Sequence, residues 1–204
     1  MQFSLWLALV GTGVMISVTP GAGAINTMSN ALTAGFRRSM WGILGQQLAL
    51  VIHIIIVAAG VGLVVANSPL LFMFIRYTGA AYLVYLGVRK ILAPPEPFDA
   101  GSPLPERGLS MLRRGAWVNL LNPKAIVFFL AVIPQFIRPG EPLWQQYLVL
   151  TATIVAIDIV IMWFLFAAGA KQLKHLTNSE RGQVLLNRIF GSLFIAVGVL
   201  LALL

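Results

Sequence analysis

Two charged side chains, Lys124 and Asp158, lie deep inside apolar segments of the sequence. A lysine in hydrocarbon costs roughly 2.5–3.5 kcal/mol on insertion scales, and such residues mark substrate, ion or proton pathways. Opposite charges at similar depth could pair, or each could hold one end of a zwitterion. Lys124 could instead extend its long stem toward the cytoplasmic interface. A short carboxylate cannot do so, and we therefore predict a functional or ion-pairing role for Asp158.

Each of two apolar segments is interrupted by a proline, in Thr19-Pro20-Gly21 and in Leu121-Asn122-Pro123-Lys124. Proline removes a backbone donor and clashes with the preceding turn. The helix fragment after such a break begins with exposed N–H groups and a positive dipole end, which suit a substrate carboxylate. A single proline would favour a simple packed kink. Two in equivalent positions favour a site, whose predicted substrate-binding residues are Pro20, Gly21, Asn26, Asn122, Pro123, Lys124 and Asp158.

The number of residues from the basic ends of each segment, at about 1.5 Å of helix per residue, gives the depth of a residue in the membrane. By this measure four residues lie near the middle of the membrane: Pro20, His53, Lys124 and Asp158. Histidine titrates near neutral pH, so His53 either relays protons together with Asp158 or is a neutral histidine bonded between helices. Asn26 either faces the same cavity or bonds the broken backbone. Small-residue patterns (Gly42/Gly45, Gly79/Gly87 and Gly191/Gly198) are typical of close helix packing or dimer contact.

Composition indicates a membrane protein without metal or cofactor. Of the 204 residues, 59% are hydrophobic and only 10% are charged, which gives a mean hydropathy of +0.89. A soluble domain of this size could not cover that much apolar surface. The absence of cysteine excludes thiolate ligands, and the two histidines, His53 and His175, lie far apart in the sequence. No basic region precedes the first apolar run, so we expect no cleaved signal peptide.

The pattern predicts an all-α membrane protein of six spans, with the first and fourth broken at Pro20 and Pro123. The apolar segments run over 3–34, 40–65, 70–92, 116–137, 143–170 and 188–204. A proline-rich cytoplasmic linker, 93–114, separates a first three-helix repeat (1–92) from a second (115–204). Three spans per half require the second repeat to be inverted. Two spacings support this: His53 follows Pro20 by 33 residues, and Asp158 follows Pro123 by 35.

Basic residues set the predicted orientation. The connections after segments one, three and five hold eleven of the fourteen lysines and arginines, and the termini hold none. The positive-inside rule therefore places these connections in the cytoplasm and both termini outside. The net charge of +8 is then a topology signal, and we expect no nucleic-acid partner.

In these motifs the chain resembles the LysE/RhtB-type amino-acid exporters over essentially its whole length. The residues that carry the resemblance are Thr19-Pro20-Gly21, Gly79-Ala80-Ala81-Tyr82-Leu83 with Gly87, Asn119-Leu120-Leu121-Asn122-Pro123-Lys124, Pro134-Gln135-Phe136 and Asp158. The resemblance implies a six-span bacterial inner-membrane exporter of amino acids, driven by the proton gradient and dimeric. The expected substrates are small and neutral, such as homoserine, its lactone or threonine.

Three alternatives stay open at this point. The exported class could be basic or branched-chain amino acids, although a single midplane acid argues against dibasic ones. A membrane-embedded hydrolase could use Ser17, His53 and Asp158, yet the sequence has no nucleophile motif. A channel is the third, but buried charges beside broken helices favour a carrier. We therefore expect a transporter and not an enzyme.

Overall fold

The computed structural model describes residues 2–67, 69–94, 107–138, 140–172 and 179–203, and every regular element among them is helical. The elements in chain order are α1 (Phe3–Val18), α2 (Ala22–Thr33), α3 (Phe36–Asn67), α4 (Pro69–Leu92), α5 (Gly108–Leu120), α6 (Pro123–Val132) with a 3₁₀ turn (Ile133–Phe136), α7 (Leu143–Val160) continuing as a π-helix (Ile161–Ala167), and α8 (Glu180–Leu203).

Both predicted breaks are confirmed. Helices α1 and α2 meet at 59° around Pro20, and α5 meets α6, with its 3₁₀ turn, at 58° around Pro123. At the first break Thr19 and Gly21 are extended, and at the second a turn at Leu121 is followed by the extended Asn122. Pro123 then stands in the first turn of α6, where its missing N–H costs nothing.

The chain is a multi-pass, all-α membrane protein. Three helical stretches are long and apolar enough to span a membrane, namely Phe36–Gly60, Leu143–Ala167 and Glu180–Leu200. Counting each bent pair as one span raises the number to five within the described residues. Helix α4 coincides with the predicted third segment, and its crossing of the membrane stays a prediction.

Two helix starts lie eight residues before the predicted ones. Helix α5 begins at Gly108 rather than at 116, and α8 begins at Glu180 rather than at 188. The first turns of both helices contain polar residues, so a search for apolar segments does not include them. An acidic residue such as Glu180 nevertheless favours a helix start. Residues 95–106, the central part of the predicted linker, lie outside the described residues, as does His175.

Glycines let two helix pairs approach closely, as the small-residue patterns predicted. In the α3–α5 pair, a Cβ at Gly45 would lie 1.9 Å from the carbonyl oxygen of Leu112. In the α4–α8 pair, a Cβ at Gly191 would lie 2.5 Å from the carbonyl oxygen of Gly87. Any larger side chain at these crossings must push the helix backbones apart.

We expect Gly45→Ala to destabilise the protein by about 1–3 kcal/mol because it overpacks a backbone contact. The matched control is Gly60→Ala in the same helix, where a Cβ meets nothing within 4 Å. There, the higher helix propensity of alanine makes the change neutral or stabilising. Thermal unfolding of the purified protein in detergent measures both. Equal midpoints for the two variants would contradict the close α3–α5 crossing.

Candidate functional site

A cavity of about 50 Å³ with both polar and apolar walls lies where the two breaks face helices α3 and α7. Its polar wall combines side chains from both halves of the chain: Ser17, Gln46, Asn119, Asn122, Lys124 and Asp158, with Gly21 beside them. Its apolar wall includes Leu50, Phe128, Phe129, Ile154 and Met162. Since one water needs about 10–15 Å³, the space suits a small polar ligand.

Lys124 points across the cavity to the end of α1 and not toward an interface. Its ammonium donates to the carbonyl oxygen of Ile16 at 2.9 Å and to that of Thr19. In a continuous helix the carbonyl of residue 16 would accept from the N–H of residue 20. Residue 20 is proline and has no N–H. The first break therefore creates the acceptor that holds the lysine of the second break.

Asp158, in α7, is buried and held by two donors from the first half. Ser17 Oγ donates to Oδ1 at 2.9 Å, and Gln47 Nε2 donates to Oδ2 at 2.7 Å. Lys124 and Asp158 thus line one cavity, but in the described structure each is bonded to other groups rather than to the other. Of the alternatives for Lys124, neither the direct pair nor the snorkelling stem is observed.

The two helix starts at the cavity differ. The first turn of α6 is capped, because Asn122 Oδ1 accepts from the backbone N–H of Lys124 at 3.1 Å. The start of α2, at Gly21, has no side-chain cap. A Cβ at Gly21 would lie 3.6 Å from Lys124 Nζ, so the uncapped start and the ammonium are adjacent.

His53 and Asn26 lie outside the cavity wall. The Nε2 atom of His53 is 3.2 Å from the carbonyl oxygen of Leu120, and its ring stacks at a tilt on Phe129, 5.8 Å between centroids. Asn26 is buried on α2, beside Gly42. Pro20 and Pro123 shape the breaks and, unlike Gly21, Asn122 and Lys124, do not line the cavity themselves.

The predicted substrate-binding residues did not include four polar residues of the site. Ser17 was named only as a hydrolase candidate and Asn119 only in the family motif, and Gln46 and Gln47 were not named. The sequence does indicate Gln46 and Gln47, because two consecutive amides inside an apolar span are expected to have a polar partner. Burial raises the cost of an amide unless it finds a partner. Gln47 bonds Asp158, and Gln46 bonds the first turns of α2. Ser17 and Asn119 carry no comparable signal in the sequence.

Each break contacts a helix of the other half. Ser17 stands three residues before Pro20 and bonds Asp158 in the second half. Leu120 stands three residues before Pro123 and bonds His53 in the first half through its carbonyl. Likewise, α1 and α2 pack on α7 and its π-helix, and α5 and α6 pack on α3. In each of these contacts, a residue or helix at one break meets the helix of the other half that carries His53 or Asp158.

Ser17, His53 and Asp158 do not form a serine–histidine–acid relay in the structure. A serine–histidine–acid relay needs the serine hydroxyl bonded to the imidazole. Here Ser17 bonds Asp158 directly, while His53 bonds Leu120. Within the described ranges, no group of three or more His, Asp or Glu side chains could hold a metal ion.

A multi-pass membrane protein with two broken helices around a polar cavity is a transporter-type architecture. Residues 14–204 match the LysE type translocator family, and the chain belongs to that family. It is 38% identical to a homoserine/homoserine lactone efflux protein of Salmonella typhimurium, over 99% of this chain and 98% of the relative. It is 37% identical to the protein of the same name of Salmonella typhi, with the same coverage.

A further relative is an uncharacterized membrane protein of Vibrio cholerae, 42% identical over 99% of this chain and 98% of its own length. No solved structure matches the chain significantly. Family membership and these relatives confirm the resemblance read from the motifs around Pro20 and Pro123. They support an amino-acid exporter and point to a transporter.

Gln47→Leu should destabilise the protein by about 1.5–3 kcal/mol, because it removes a hydrogen bond to a buried carboxylate. Gln135→Leu is the control, since the amide of Gln135 donates only to Ala131 within its own helical segment. Thermal unfolding in detergent compares the two. If Gln47→Leu unfolds at the control's temperature, Gln47 does not hold Asp158.

Proposed function

We propose that the protein exports small neutral amino acids, of the homoserine, homoserine lactone and threonine type, in exchange for protons by alternating access. The observation that carries the proposal is the pair of separated charges, Lys124 and Asp158, on the walls of one small cavity. Each charge has its own set of hydrogen-bond partners. A zwitterion between them would meet a cation at one end and an anion at the other.

The substrate carboxylate binds between Lys124 and the start of α2. Uncapped N–H groups and the positive dipole end of a helix favour an anion there. Because Asn122 already caps α6, the α2 start at Gly21 offers the better donors. This assigns carboxylate binding chiefly to Gly21 and Lys124, with Pro20, Asn122 and Pro123 shaping the two breaks.

The substrate amino group binds Asp158, which alternately carries a proton. Competition of the two at a single carboxylate couples proton influx to substrate efflux without a second site. His53 lies next to the second break and can pass a proton along the same layer. Asn26 contributes from its position farther along α2.

The proposed architecture is six spans in two inverted repeats, 1–92 and 115–204, connected by the linker 93–114. The exchange of contacts between halves, Ser17 with Asp158 and Leu120 with His53, supports this symmetry. The distribution of basic residues supports cytoplasmic connections at positions 37, 90 and 171 and both termini outside. We place the protein in the bacterial inner membrane as a homodimer, following the family resemblance.

A basic or branched-chain amino acid is the second candidate substrate. Asp158 is the only carboxylate among the residues that line the cavity, so a second cationic group would find no counter-charge there. The apolar wall of Phe128, Phe129 and Ile154 is compatible with a branched side chain. The two relatives named for homoserine efflux favour the hydroxylated substrates.

Asp158→Asn should fold and insert normally but lose gradient-driven export. The new amide can still accept from Ser17, and the unpartnered Oε1 of Gln47 can turn to accept from it. It cannot exchange a proton. Glu141→Gln, an exposed carboxyl between α6 and α7, is the control and should export normally. Export of homoserine from loaded proteoliposomes with an imposed pH gradient measures both. Undiminished export by Asp158→Asn would refute the mechanism.

Lys124→Gln should impair homoserine more than homoserine lactone, because the lactone has no free carboxylate. Losing a charge-assisted hydrogen bond of about 1.5–3 kcal/mol raises the half-saturating homoserine concentration about tenfold or more. We expect little change for the lactone. Lys171→Gln is the control, because it removes the charge of an exposed lysine that follows the π-helix after α7. Equal loss for both substrates would remove Lys124 from carboxylate binding.

A further inference from the structure

Helix α2 turns its polar face inward. Gly23, Asn26, Thr27 and Asn30 follow the i, i+3, i+4, i+7 spacing of a single helix face. Thr27 and Asn30 are completely buried, whereas the apolar Ile25 on the other side is 48% exposed. In a membrane helix, an inward polar face indicates either polar packing between helices or a path for polar solutes.

This face continues without interruption from the cavity toward the basic connections. Gln46, which lines the cavity, donates to Gly23 O at 3.1 Å and to Thr27 Oγ1 at 3.0 Å. One turn earlier on α3, Gly42 leaves room for the next two amides. A Cβ there would lie 3.4 Å from Asn26 Nδ2 and 2.1 Å from Asn30 Nδ2.

Arg114 of α5 ends the row, donating from its guanidinium to Asn30 Oδ1. Asn119, also on α5 and in the cavity wall, donates to the carbonyl oxygen of Gln46 at 3.0 Å. From Gly23 to Asn30 the row covers about 10 Å of helix. We call the set Asn26, Asn30, Gln46, Asn119 and Arg114 the amide row.

Two donors in the amide row have no partner. The Nδ2 atoms of Asn26 and Asn30 are buried without a hydrogen bond among the described residues. Each unpaired buried donor costs about 1–3 kcal/mol. Polar groups that only held the helices together would bond one another. The unpaired Nδ2 donors of Asn26 and Asn30, which lie next to each other beside Gly42, can instead donate to water or to the carboxylate of a passing solute.

The opposite side of the cavity is closed by apolar side chains. Phe128, Phe129, Ile133 and Leu9 are at most 5% exposed and belong to one core cluster. Among the described residues, the amide row thus extends from the cavity toward Arg114 and the basic connection that follows α2. By the charge distribution, that direction is the cytoplasm.

We propose that the amide row is the cytoplasmic access route by which a substrate reaches the cavity. Arg114 attracts the carboxylate at the mouth, and Asn30, Asn26 and Gln46 exchange hydrogen bonds with the substrate as it moves inward. The identity of the substrate as an amino acid rests on the proposed function. The route itself requires only that small polar solutes pass between α2, α3 and α5.

The chain has no cysteine, so single-cysteine variants report water access directly. Asn26→Cys and Asn30→Cys test the row, and Met28→Cys, buried at 4% exposure on the apolar side of the same helix, is the matched control. A charged, membrane-impermeant methanethiosulfonate is applied to inside-out and to right-side-out membrane vesicles. All three positions are buried, so a thiol there reacts only where water and the reagent gain access. If the row is the route, we expect both row variants to react at least about tenfold faster than the control from the cytoplasmic face.

Saturating homoserine should slow that labelling, and reaction from the outer face should be as slow as for Met28→Cys. Labelling equal to the control, or faster from the outer face, would overturn the route. Asn30→Cys loses the hydrogen bond to Arg114. If that variant fails to fold, the labelling of Asn26→Cys alone tests the route. If labelling from the cytoplasmic face is fast but homoserine does not slow it, the access route stands and homoserine is not its substrate. The access route and the proposed export of homoserine can therefore be refuted separately.

Discussion

The missing N–H of Pro20 is the constraint on which the site depends. It leaves the Ile16 carbonyl without its helical partner, and the ammonium of Lys124 takes that place. Lys124 itself stands in the first turn of α6 because Pro123 and the Asn122 cap start a new helix there. Pro20 therefore leaves the Ile16 carbonyl free to accept, and Pro123 starts the helix that positions Lys124 to donate. A charged hydrogen bond of this kind, worth about 1.5–3 kcal/mol, joins the two halves at their breaks.

Separate hydrogen-bond sets for Lys124 and Asp158 have a consequence for transport. A direct ion pair would have to be broken before a substrate could use either charge, and in a low-dielectric interior that step is costly. Carbonyls hold the lysine, and Ser17 and Gln47 hold the aspartate. In the proposed cycle, both charges are thus kept buried and stable while remaining available to the two ends of a zwitterion.

The surrounding helices divide into closely packed pairs and less regular segments. Glycine contacts bring the α3–α5 and α4–α8 backbones together, and such crossings tolerate little change in spacing. Irregular backbone is found next to the site instead: the two breaks, and the π-helix that follows Asp158 by three residues. A π-helix inside an α-helix is common at functional sites. Met162, within it, lines the cavity and accepts a weak hydrogen bond from Thr27.

Much of the molecule is determined by the sequence alone. Apolar length and basic flanks indicate a multi-pass helical membrane protein. The two prolines set both breaks, since a proline inside a helix removes a backbone donor and clashes with the preceding turn. The burial cost of Lys124 and Asp158 marked them as site residues. The motifs around Pro20 and Pro123 also placed the chain in its family, as the comparison over residues 14–204 confirms.

Only the tertiary structure decided which groups these residues meet. The partners of Lys124 are backbone carbonyls more than 100 residues away, and carbonyls have no identity in a sequence. Gln47 reaches Asp158 and Asn26 does not reach the cavity, because side-chain direction depends on how each helix is rotated against its neighbours. Spacing along the chain gives depth in the membrane, but the rotation of a helix is set by packing.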